Sequence, residues 1–195
     1  MTAAHFDTAR LWLTLSNLSA ARITYSRGKA QGQGKVRDLD SDVGKLDRTR
    51  ASLDCSGYVQ YVVYQATTHN VRIPQGSYKQ QEWLSEKGYR ALSGNDFLSM
   101  QDVYDYEAAK KDDIVRIAYR ATDPKAKKDN TGSGGKGVGH VWLVINGRTF
   151  ECTTKGQANG PWSFDYAVRS KDADSMFVLG AAYGFGAQGN LLTKP

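Results

Sequence analysis

The chain has 195 residues, 40% of them hydrophobic, with a net charge of +6 and a pI near 9.2. That apolar content supports a core and excludes a globally disordered chain, and no apolar run approaches the length of a membrane span. The excess of Lys and Arg favours anionic partners, whether nucleic acid, acidic lipid or an acidic wall polymer, and two cysteines far apart in sequence do not make a disulfide framework.

The length suits one domain over residues 1–195. Residues 4–21 predict a helix: Phe6, Leu11, Leu15 and Leu18 recur at helical intervals, and Trp12 and Leu13 widen the apolar stripe. Asp7 and Arg10 interrupt this stretch, and it lacks a continuous apolar core with a small-residue cleavage site. It is therefore not a standard cleavable signal peptide, so the protein either stays in the cytoplasm or leaves by a route that needs none. Residues 28–50 are polar and glycine-containing and read as a long loop. Asp38, Asp40 and Asp42 alternate there as in a calcium loop. Val43 stands where that loop needs glycine, and Thr49 where it needs glutamate, so a solvated acidic turn is the better reading.

Behind the turn Asp54-Cys55-Ser56-Gly57, apolar residues at Val59, Val62, Val63 and Ala66 have helical spacing. A turn at His69–Pro74 follows, then a second helix over Ser77–Lys87 stopped by Gly88, and a short helix near Asp96–Gln101. Asp112 to Ala118 reads as a polar turn becoming a strand. Residues 121–139 form a flexible Gly/Lys-rich loop; no Gly-Lys-Ser/Thr ends it, so it is a poor phosphate loop. His140–Ile145 and Arg148–Thr153, joined by Asn146-Gly147, predict a hairpin with a type I′ turn. Ser175–Leu179 is one more strand, and Gly184–Pro195 a glycine-bearing tail. Helices precede strands, which predicts an α+β fold.

Cys55 lies in the first turn of its helix, where the helix dipole and free N–H groups favour a thiolate and an oxyanion. The competing reading is a small buried cysteine that opens a helix. A thiol nucleophile needs a base. Of the three histidines, His5 sits in the N-terminal helix with no tie to Cys55. His69 lies beyond the far end of the Cys55 helix, about 20 Å away at the helical rise. His140 opens a strand directly after the glycine loop and is the favoured base. With a two-residue turn, Ile145 pairs with Arg148 and Trp142 lies opposite Glu151, so His140 and Glu151 share a face as diagonal neighbours. Glu151 can then accept the Nδ1–H of the imidazole and stabilise its charged form. Thr153, opposite His140, is the rival orienting group, and Cys152 points to the other face.

These residues resemble the NlpC/P60 family of cysteine peptidases. Asp54-Cys55-Ser56-Gly57 with Tyr58-Val59-Gln60-Tyr61-Val62 is similar to the family's nucleophile helix. Ile73-Pro74 with Ser77 and Gln80-Gln81 is similar to its next segment, and Asp113-Ile114-Val115 to its Gly-Asp-Leu-Val strand. Gly139-His140-Val141, with Asn146-Gly147 beyond it, resembles the strand that carries the catalytic histidine. Tyr25 resembles the tyrosine that lines the site. The motifs run in the family's order from about Tyr25 to Thr153. The third polar position, commonly histidine in the family, is here Glu151.

The resemblance implies a papain-like α+β fold, a central antiparallel sheet with the nucleophile helix packed on it. It implies catalysis by Cys55, His140 and Glu151, with Tyr25, Asp54 and Ser56 beside the substrate. The expected reaction is hydrolysis of amide bonds in peptidoglycan stem peptides, next to a D-glutamyl residue, with no metal or organic cofactor. The expected setting is a monomeric wall-degrading toxin or lysin, exported by a signal-independent route and acting at the cell wall, in the periplasm of a target cell. An immunity protein or secretion apparatus is then a possible partner, with no nucleic acid and no membrane span. Two other classes compete: a deamidase, transglutaminase-like enzyme or acyltransferase using the same Cys–His pair on protein or lipid, and a non-enzymatic binder that keeps the fold.

Overall fold

The computed structural model describes residues 5–21, 23–25, 39–40, 52–89, 91–92, 99–121, 138–156, 158–185 and 191–192. In chain order the elements are β1 (Phe6–Asp7), α1 (Thr8–Ala20), β2 (Thr24–Tyr25), β3 (Ser52–Leu53), α2 (Cys55–Ala66), α3 (Ser77–Glu86), β4 (Ala91–Leu92) and α4 (Met100–Ala108). Then follow β5 (Ile114–Ala121), β6 (Val138–Ile145), β7 (Arg148–Thr153), β8 (Gly160–Asp165), a 3₁₀ segment (Tyr166–Asp172), β9 (Ser175–Phe185) and β10 (Leu191–Leu192). The fold is α+β.

The main sheet runs β1-β9-β5-β6-β7-β8, with β4 and β10 also pairing to β9. All its pairs are antiparallel except β1 on β9. β2 and β3 form a separate parallel pair. Asn146 at φ 50° and Gly147 at φ 71° close the β6–β7 hairpin, as a type I′ turn requires. The register is Ile145↔Arg148, Val144↔Thr149 and Leu143↔Phe150. There the β6–β7 ladder stops. β6 stays paired to β5 through Arg120↔His140, and β7 to β8 through Thr153↔Gly160. The two strands therefore part at the end that carries His140 and Glu151.

Both faces of this sheet are covered. On one, Val141, Leu143, Ile145, Ile117 and Cys152 meet α1, α2 and α3 through Leu11, Leu15, Val59, Val62 and Leu84. On the other, Trp142, Val144, Ala118 and Met176 meet Tyr104 and Ala108 of α4 and Ala173. α2 is the central helix: ten of its 12 residues are buried. Apolar residues all round are what a helix wrapped by other elements requires. Each fully buried valine there contributes about 1.5–3 kcal/mol of apolar transfer.

Several boundaries differ from the sequence expectation. The first helix starts at Thr8, not at residue 4, because Asp7 is its N-cap and accepts the Arg10 N–H at 2.9 Å. Phe6 is a buried strand residue paired with Ala182. The helix expected near Asp96–Gln101 runs from Met100 to Ala108, capped by the Ser99 hydroxyl. The strand expected at Ser175–Leu179 continues to Phe185. Gly184 and Phe185 of the expected tail pair with Leu192 and Leu191 of β10, while 186–190 and 193–195 lie outside the described residues. β8 and the 3₁₀ segment were not expected. Of the loop expected at 121–139, residue 121 ends β5 and residues 138–139 open β6, while 122–137 lie outside the described residues. So do Asp38 and Asp42 of the acidic turn.

Candidate active site

Asp54 is the N-cap of α2, in extended backbone at φ −94° and ψ 177°. Its Oδ1 accepts the Gly57 N–H at 2.7 Å and the Ser56 hydroxyl at 2.8 Å. Both side chains, expected beside the substrate, are thus bonded within the turn, and they fix where Cys55 sits. Parallel pairing of Thr24↔Ser52 and Tyr25↔Leu53 brings Tyr25 alongside the residue two before Cys55. Gly160 permits this approach: at φ +141° its Cβ would run into the Ile23 carbonyl. From the other side, buried Gln80 of α3 donates from Nε2 to the carbonyls of Ser56 at 2.8 Å and Pro74 at 3.0 Å.

Cys55 is buried, 7% exposed. Burial, followed by the Asp54 carboxylate, pushes its thiol up to about 11, against the main-chain N–H groups of Val141, Ser56 and Cys55 itself. The resting thiolate expected from the helix N-terminus is therefore corrected. Helix N–H groups favour the anion, but desolvation beside a carboxylate outweighs them. The Val141 N–H that faces the sulfur belongs to β6, in the residue after His140.

His140 and Glu151 meet as the register predicts, with one change. Glu151 Oε2 lies 2.5 Å from Nε2 of the imidazole, not from Nδ1. The two residues are diagonal neighbours across parted strands, and only the distal ring nitrogen reaches that far. His140 is 5% exposed and Glu151 fully buried. Burial, only partly opposed by Glu151, holds the imidazole below its ordinary value. The carboxyl is held below its ordinary value despite burial, by hydrogen bonds from His140 and Arg169. An ionised carboxylate 2.5 Å from a neutral imidazole requires the ring proton on Nε2, which leaves the lone pair on Nδ1. The ion pair expected between imidazolium and thiolate is thus replaced at rest by neutral imidazole and thiol. Among the described residues no hydrogen bond joins Cys55 to His140.

Arg169, in the 3₁₀ segment, escaped the sequence reading. Its Nε donates to Glu151 Oε1 at 2.9 Å and its Nη2 to Glu151 Oε2. Nη2 also donates to Thr153 Oγ1 at 3.1 Å, and Nη1 to Asp172 Oδ2 at 2.8 Å. Thr153, the rival partner for His140, holds the arginine instead. Trp142 floors the cluster: its ring stacks on the imidazole at 5.6 Å, and the guanidinium lies 5.6 Å from its centroid. The available signal was Arg169 with Asp172 three residues on, but nothing in the sequence ties that pair to the hairpin.

The other candidates fall elsewhere. Cys152 points to the opposite face and donates to the Leu53 carbonyl at 3.2 Å. His69 stacks on Tyr64 at 4.6 Å beyond the end of α2, and His5 is exposed. Two surface concavities, one of about 410 Å³ at Trp12, Phe150 and Trp162, the other of about 510 Å³ at Lys155, Tyr166 and Asp172, are lined by neither Cys55 nor His140. Hydrogen-bonding geometry, more than concavity, therefore marks the site. Among the described residues no group of three or more His, Cys, Asp or Glu is arranged to hold a metal ion. None of their helices is long and apolar enough to cross a membrane. Compared with known proteins, the chain matches no family model, and no curated protein or solved structure matches it.

Proposed function

We propose that this chain is a cysteine hydrolase of the NlpC/P60 type that cleaves amide bonds in peptidoglycan stem peptides at the cell wall. One observation carries the reading: a buried imidazole, bound at Nε2 by an ionised Glu151, adjoins the residue whose N–H faces the Cys55 sulfur. A fixed tautomer beside a thiol in the first turn of a helix is the arrangement that base-assisted thiol attack needs.

The chemistry follows from the resting charges. Nδ1 of His140 takes the thiol proton as Sγ bonds to the substrate carbonyl carbon, so the thiolate forms during attack. The contact between Nδ1 and sulfur closes in the substrate complex, where catalytic hydrogen bonds tighten. The carbonyl oxygen becomes an oxyanion, held by main-chain N–H groups at the start of α2. Collapse breaks the C–N bond, and the imidazolium gives its proton to the departing amine. Water, deprotonated by the same nitrogen, then attacks the thioester and releases the acid and the free thiol. Glu151 keeps the ring in place and stabilises its transient charge. The ordered motifs from Tyr25 to Thr153 support the wall-peptide substrate, and a net charge of +6 suits an anionic polymer.

The test is to digest purified peptidoglycan and defined muropeptides and to weigh the fragments by mass spectrometry. The expected result is one new amine and one new carboxyl per cut at a stem-peptide amide, absent with Cys55→Ala. Intact muropeptides with a folded, thiol-reactive enzyme would overturn the substrate; transfer products in place of acids would point to an acyltransferase.

A further inference from the structure

The geometry points to Arg169 as a positioning residue of this site: by gripping Glu151 through two guanidinium nitrogens and sharing its charge, it keeps His140 in the Nε2–H form with Nδ1 as the basic nitrogen. This rests on the reading of His140 as the base. A buried carboxylate next to an imidazole, left to itself, favours the imidazolium. An imidazolium has no lone pair with which to accept a thiol proton. Here the carboxylate is already saturated. Oε1 accepts from Arg169 Nε at 2.9 Å and from the Thr149 hydroxyl at 3.4 Å, and Oε2 accepts from both Arg169 Nη2 and His140 Nε2.

The guanidinium also stands close to the ring itself. Nη2 is 3.3 Å from Nε2, so a second positive charge on the imidazole would face it directly. The other charged or titratable groups around the imidazole act in the same sense or lie further off. Arg120 is its pair on β5 and reaches Asp172 at 3.7 Å. Asp172 is divided between Arg169 and Lys155. Tyr104 of α4 is separated from the ring by Trp142, whose indole N–H it accepts at 3.3 Å. Among the described residues Glu151 is thus the one anion hydrogen-bonded to the ring, and Arg169 is what offsets it.

Arg169 itself is 2% exposed and bonded from each side-chain nitrogen. Its segment is pinned to the hairpin turn by the Tyr166 N–H on the Gly147 carbonyl at 3.3 Å. It is pinned to α4 by the Tyr104 hydroxyl on the Tyr166 carbonyl at 3.1 Å. These anchors hold the guanidinium fork against the carboxylate, which it meets through two nitrogens.

The experiment titrates the His140 ring protons by NMR in the Cys55→Ala chain, which needs no activity. Arg169→Met should raise the apparent pKa of the ring by about one unit or more, the shift expected when a neighbouring carboxylate loses its counter-charge. Arg169→Lys, with a single donor, should move it the same way by less. Arg169→Met/Glu151→Gln, which removes both charges, should reverse the rise. With Cys55 restored, the acid limb of kcat/KM on a muropeptide should move by the same amount. A folded Arg169→Met with an unmoved ring overturns the proposal. If that variant does not fold, an unmoved ring in Arg169→Lys does so. The two readings separate cleanly: a moved ring without muropeptide cleavage keeps Arg169 and removes the hydrolase, whereas cleavage with an unmoved ring does the reverse.

Discussion

On the face of β6 that carries Val141, Leu143 and Ile145, three helices cover the sheet with hydrocarbon. On the face that carries Trp142, the sheet's own imidazole and carboxylate, His140 and Glu151, meet the Arg169 guanidinium, all nearly inaccessible to water. The first kind of burial is forgiving, because each apolar group contributes its own area and few neighbours depend on it. The second is conditional. Its charges are tolerable underground only while each has its partner, and removing one leaves another stranded. Under the proposed function the same condition is what that face uses, since a desolvated, pre-oriented base does not have to shed water before it acts.

The largest contrast lies between the two cysteines. Cys55→Ala should abolish hydrolysis, a loss of about a thousandfold or more, with little change in the urea midpoint. Cys152→Ala should keep most activity, since that thiol only donates to the Leu53 carbonyl. Equal loss in both folded variants would break the assignment of the nucleophile.

Next comes Glu151→Ala, which leaves Arg169 buried without its main counter-charge. The expected cost is about 3–5 kcal/mol by urea unfolding, the range for breaking a buried pair from one side. Leu143→Ala on the other face should cost about 2–5 kcal/mol. What separates them is pH. The folded imidazole sits below its ordinary 6.5, so the unfolded chain takes up that proton first, and stability should fall as pH drops below about 6.5. Glu151 adds to the decline at lower pH, because its folded carboxyl must be protonated below its ordinary 4.5. Leu143→Ala should shift the whole curve down without changing its shape. A wild-type urea midpoint that is flat from pH 7.5 to 5 would contradict the neutral buried imidazole.

The smallest effect belongs to the turn that serves both faces. Gly147→Ala, at φ 71°, should cost about 1 kcal/mol while leaving the strand register in place. A loss of activity out of proportion to that would mean the turn sets the site more tightly than the ladder does.

The hairpin was legible because Asn146-Gly147 admits few backbone solutions, and once the turn is fixed, alternation puts Glu151 near His140. The helix that opens at Cys55 was legible from its cap and its apolar spacing. Arg169 was not, because its partner Glu151 lies 18 residues upstream and the two meet only after β8 turns the chain back. A 3₁₀ segment with no apolar period gives no warning of what it faces. The charge state of Cys55 was misread for a related reason: the cap is written locally, whereas desolvation by burial is a property of the assembled core. The ring nitrogen was misread because register specifies residues and says nothing of which end of a ring meets its neighbour.

β9 lies between β1 and β5 although it follows both in sequence by many residues. A sheet whose interior strand arrives late cannot close in the order in which its chain is made. While a ribosome adds residues at roughly 5–20 per second, α2 and the β6–β7 hairpin are complete before Ser175 is joined. They must wait with one edge of β5 unpaired until residues 175–185 insert. Long-range closure of this kind slows folding. It also means that a nascent chain cut short before that point carries Cys55 and His140 on an unfinished sheet.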